Sequence, residues 1–134
     1  MRLVLFALAL LAPGVAFADP CEGKLPTGAG TPFSGQVRYI VDGDGLCVGP
    51  TDDPKTWIEV RVADFSAPEL NKPGGPAAKD ALAAIAMNQS AQCVTQRGRN
   101  GRIRSHDRVF AVCRINGRSV GDAMRSRGIA EGGN

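Results

Sequence analysis

The chain has 134 residues, a formal net charge of +3 and a hydrophobic fraction of 43%. That length suits one small domain with one core and no large reserve of buried surface. A single His, and four Cys with no Cys-x-x-Cys spacing, argue against a zinc site.

Residues 1–18 read as a secretory signal rather than as structure. Arg2 supplies the positive charge, Leu3 to Leu11 is apolar, and Ala16-Phe17-Ala18 is a small-residue cleavage site. The competing reading is a retained anchor, but the apolar run is too short to span a bilayer as a helix. Export to the periplasm or beyond, with no stable membrane anchor, is therefore expected. All four cysteines follow Ala18, and an even number in an exported chain predicts two disulfides. Three pairings are open. Cys93–Cys113 is favoured because both fall mid-strand in what read as neighbouring antiparallel strands. Cys21–Cys47 would then tie the N-terminal arm to the second strand.

Residues 19–32, rich in Pro, Gly and Thr, form that arm. Residues 33–134 form the domain. A first strand runs from Phe33 to Asp42, with Val37, Tyr39 and Val41 alternating against Gln36, Arg38 and Ile40. Gly43 ends it in a tight turn, on the expectation that glycine takes a positive φ there. Leu46-Cys47-Val48 is a short second strand, and residues 49–54 are a turn. The clearest strand is Trp57 to Phe65. It places Trp57, Glu59, Arg61 and Ala63 on one face and Ile58, Val60 and Val62 on the other. Ala77 to Met87 has helical spacing, with Pro76 in its first turn. Strands follow at Ala91–Gln96 and Arg108–Ile115, separated by a polar, Arg-rich loop at 98–107. Asn116-Gly117 makes a turn. A short helix at Ser119–Arg127 has Ser119 as N-cap, Asp122 as its capping-box partner and Gly128 at its end. Five short strands with a helix between the third and fourth predict a β-rich α+β fold, a five-stranded OB-type barrel.

Charge is unevenly spread. Nine arginines lie between Arg97 and Arg127, while the acids concentrate before Asp80. A planar guanidinium binds phosphate bidentately, so the basic half favours an anionic partner; a solvated basic face is the alternative. Asp42-Gly43-Asp44 sets two carboxylates at a bend, a pattern that suits a hard divalent cation and is also common in plain hairpins. Arg61 sits mid-strand, where a lone charge needs a partner or a polar cleft. Glu69, after Pro68, is a candidate general base beside a phosphate held by Arg61. Arg108 opens the fifth strand and is placed to approach the same phosphate. Pairing of Arg108 with Asp107 is the competing reading.

Val41-Asp42-Gly43-Asp44, Arg61 followed by Ala67-Pro68-Glu69, Asp107-Arg108-Val109-Phe110-Ala111, Gly117 to Met124 and Gly128-Ile129-Ala130 occur in that order. Together, over Phe33 to Gly132, they resemble the thermonuclease (staphylococcal-nuclease-like) family. The resemblance implies an OB-type barrel and calcium-dependent hydrolysis of DNA or RNA phosphodiesters, with Ca²⁺ as cofactor. By resemblance Asp44 is a calcium ligand, Arg61 and Arg108 bind phosphate, and Glu69 is the general base. Where the family carries a second acidic calcium ligand this chain has Ser66, a neutral and weaker donor. Asp64, two residues before Ser66 and of the same strand parity, is a candidate to complete the metal set, and Asp42 is another. The family's Gly before its second Arg is Asp107 here. Single-stranded nucleic acid is the expected partner of a monomer, since a barrel cleft accommodates one backbone. The rival expectation is a barrel that binds nucleic acid or a protein without cutting.

Overall fold

The computed structural model describes residues 19–132. The expected leader, 1–18, lies outside the described residues. The strands are β1 (Pro32–Asp42), β2 (Gly45–Gly49), β3 (Ile58–Val62), β4 (Ser90–Thr95), β5 (Arg104–Ser105), β6 (Arg108–Ile115) and β7 (Arg118–Ser119). The helices are α1 (Gly75–Ala86) and α2 (Val120–Ser126). β1 pairs antiparallel with both β2 and β4, β2 with β3, and β4 with β6. A parallel pairing of β3 with β6 closes the ring. The result is a closed, mixed five-stranded barrel of OB type, with β5 and β7 as short additions on β6. Closure leaves none of the five strands as a bare edge.

Alternation builds the core. Val60 and Val62 on β3 and Val109, Ala111, Cys113 and Ile115 on β6 point inward and are buried. They meet Leu46, Val48, Phe65, Leu82 and Met124. Helix α1 lays Ala78, Ala81, Leu82 and Ala86 on this core. Gly74, at φ 85°, caps its start and Pro76 sits in its first turn. The helix ends at Ala86 because Met87 is already extended.

Four local expectations change. β1 does not keep one alternation: Val37 and Ile40 are both buried and Tyr39 is exposed. Register shifts between Val37 and Tyr39 and between Ile40 and Asp42 turn the strand over. Gly43 does not have a positive φ. It is needed for space, since a Cβ there would lie 2.6 Å from the Cβ atoms of Ala67 and Ala78. The third strand stops at Val62, three residues short of Phe65, because Ala63 and Asp64 form a turn. The loop at 98–107 contains β5, which forms a hairpin with β6 through His106 at φ 58°.

At α2, Ser119 caps as expected: its Oγ accepts from Asp122 N at 3.1 Å. The Asp122 carboxylate turns to Arg125 at 3.2 Å rather than closing a capping box. Gly128 follows at φ 72°. Both favoured cysteine pairs form. Cys93 and Cys113 are direct partners in the β4–β6 ladder, with Cα atoms 4.1 Å apart. Cys21 and Cys47 pin the arm to β2, with Cα atoms 6.1 Å apart. Two such bonds suit an oxidising compartment. No helix among the described residues is long and apolar enough to cross a membrane.

Candidate phosphate-binding site

The parallel register sets Arg61 beside Phe110 across β3 and β6. Their neighbours Val60, Val62, Val109 and Ala111 fill the barrel, so Arg61, Arg108 and Phe110 share its outer wall. There they line a cavity of about 320 Å³, together with Ser66, Gly98, Arg99, Asn100 and Ser105. The cavity is therefore walled by β3, β6, the turn after β3 and the loop after β4. Gly98 lies flat on the Phe110 ring; a Cβ at that position would be 2.6 Å from its edge.

The arginines of this cavity are held differently. Arg61 is largely fixed. Its Nη1 donates to the carbonyls of Val62 (2.5 Å) and Phe65 (2.8 Å), and its Nη2 donates to Ser66 Oγ (3.2 Å). The same Nη2 is 3.2 Å from Asp44 Oδ2. Arg61 thus braces the turn that ends β3. Among the described residues, neither Arg99 nor Arg108 pairs with a carboxylate. Asp107 does not hold Arg108; its carboxylate lies instead with those of Asp19 and Glu59.

Asp44 is 5% exposed, and its Oδ2 accepts from Ala67 N at 2.8 Å. Its own amide donates to Asp42 Oδ1 at 3.1 Å. Burial pushes the Asp44 carboxyl from 3.8 up to about 6; Arg61 opposes that rise and Asp42 adds to it. Asp42 and Asp44 therefore meet, as the bend predicts.

Asp64 does not join them. The turn at Ala63–Asp64 breaks the strand parity on which its assignment rested. Its carboxyl packs against α2, where a Cβ on Gly121 would be 2.6 Å from Asp64 Cγ. Its Oδ1 is buried without a partner. Glu69 is exposed and is not among the residues lining the cavity.

Calcium takes about six to eight oxygen ligands. Among the described residues, no group of three acids able to share an ion includes Asp42, Asp44 or Asp64. With Asp44 Oδ2 already bound by Ala67 N and Arg61, this donor set does not form a cation cage.

Arg99, Asn100, Ser105 and Phe110 were not expected at the site. Phe110 carried a signal, since it lies two residues from Arg108 and so on the same strand face. The loop residues carried none. No family model and no curated protein matches the chain.

Proposed function

We propose that the barrel binds the sugar–phosphate backbone of single-stranded nucleic acid, seating a phosphate in the cavity between Arg108, Arg99 and Arg61. The observation that carries this reading is the pair of guanidinium groups, Arg99 and Arg108, that form no ion pair among the described residues and line a cavity whose wall is completed by Phe110. Two such arginines attract an anion, hydroxyl and amide groups at Ser66, Ser105 and Asn100 offer it hydrogen bonds, and an aromatic ring gives a base something to stack on. Export belongs to the same proposal. It rests on the leader-like segment at 1–18 and on two disulfides.

The test is fluorescence anisotropy with labelled single-stranded DNA and RNA at rising salt. Each phosphate neutralised contributes about −0.7 to the log–log salt slope for a single strand. Absence of binding at low salt, or binding unchanged in an Arg99→Ala/Arg108→Ala double variant, rejects the reading.

Hydrolysis of the bound strand is the second reading. One observation favours it: Arg61, which lines the cavity, is paired with the buried carboxylate of Asp44. Incubation with single-stranded DNA, with calcium and then with chelator, tests it. Cleavage that calcium supports, chelator stops and Glu69→Gln abolishes establishes a nuclease. Intact DNA at high protein concentration rules one out.

A further inference from the structure

Next to the arginine cavity, on the same outer wall, three carboxylates converge from separate parts of the chain. Glu59 lies on β3 two residues before Arg61, Asp107 lies in the β5–β6 turn, and Asp19 lies in the arm. One oxygen of each falls within 4.8 Å of the other two. Glu59 is only 4% exposed, and its Oε2 is buried without a hydrogen-bond partner. An unmatched buried carboxylate oxygen is expensive, and two further acids beside it add repulsion. Arg108 eases the charge on Glu59 but forms no ion pair with it.

Oxygens no more than 4.8 Å apart fit around one hard cation, whose ligands stand about 2.3–2.6 Å from the metal. We propose that Asp19, Glu59 and Asp107 bind a hard divalent cation of the calcium type. Its oxygen-only donors exclude a preference for soft metals, and the nearby sulfurs of Cys21 and Cys47 are tied up with each other. That disulfide builds the site. Cys47 is the direct partner of Glu59 in the β2–β3 ladder, and Cys21 follows Asp19 by two residues. Closing the bond lays Asp19 over Glu59, and Gly23 N donating to Trp57 O at 2.7 Å extends the seal. The cation clamps the arm to the barrel. This site shares no residue with the arginine cavity and does not depend on what that cavity binds.

Terbium luminescence excited through Trp57, two residues from Glu59 and the only tryptophan, tests the proposal on the disulfide-intact protein. Sensitised emission that calcium displaces is expected. Glu59→Gln and Asp107→Asn should each lose it, while Asp44→Asn keeps it, which separates this site from any metal bound for hydrolysis. Asp107 is exposed, so its variant keeps the test valid if Glu59→Gln fails to fold. Absence of calcium-displaceable emission, or its persistence in Asp107→Asn, overturns the proposal. Cys21→Ser should lose the emission as well; unchanged emission removes the disulfide from the site.

Discussion

Arg61 and Arg108 bring the same charge to one cavity but are held by different surroundings. Arg61 neutralises buried Asp44 and caps two backbone carbonyls, so its removal leaves an unpaired buried carboxylate. Breaking such a pair costs about 3–5 kcal/mol. Arg61→Ala should therefore lower the melting temperature markedly in thermal unfolding followed by circular dichroism. Arg108 pairs with no acid among the described residues and only eases the charge on nearby Glu59, so Arg108→Ala should cost much less stability than Arg61→Ala. It should instead weaken oligonucleotide binding and reduce the salt slope by about 0.7. A large stability loss in Arg108→Ala would show that it holds the fold and is not free for a ligand.

At the scale of elements, the site depends on how the loop after β4 rests on β6. Gly98 permits that contact because the Phe110 ring occupies the space a side chain would need. Gly98→Val should cost about 1–3 kcal/mol through overpacking. It should also weaken binding by moving Arg99 and Asn100, with the barrel's circular dichroism spectrum retained. Normal affinity in this variant would remove the loop from the site. The Cys93–Cys113 bond staples β4 to β6 across a sequence separation of 20 residues. A closed loop of that size contributes about 3 kcal/mol in the chain-entropy account. Urea titration of the Cys93→Ser/Cys113→Ser double variant should show a loss of that order. A loss near zero would mean that the ladder alone holds the two strands together.

For the molecule as a whole, two buried acids set the response to pH. Burial raises Asp44 from 3.8 to about 6 and Glu59 from 4.5 to about 7, with Asp19 and Asp107 adding to the second rise. Between those values the folded chain holds protons that the unfolded chain has released. Stability is therefore greatest on the acid side of this window and falls as pH rises through it, by an amount of the order of 3 kcal/mol per group. Melting temperatures measured from pH 4 to pH 8 should decline between about pH 5 and 7. Calcium should recover part of the loss at neutral pH if the cation occupies the Glu59 cluster. A melting temperature that climbs across this range would contradict burial as the controlling cause.

The barrel was largely legible from the sequence alone because its signals are local. Period-two alternation marks β3 and β6, the Pro76 and alanine spacing marks α1, Ser119 caps α2, and the mid-strand positions of Cys93 and Cys113 pair them across the ladder. Arg61 and Arg108 stood out for a similar reason, as charges on strands that otherwise bury their neighbours. Three-dimensional placement decided the rest. A two-residue turn at Ala63–Asp64 sends Asp64 toward α2, which no alternation rule anticipates. Asp19 joins Glu59 and Asp107 only because the Cys21–Cys47 disulfide pins the arm to β2, beside β3. Arg99 reaches the cavity only because Gly98 lies against Phe110. Strand faces follow from neighbours along the chain, but which charges meet across the barrel wall depends on loop and arm contacts between residues far apart in sequence.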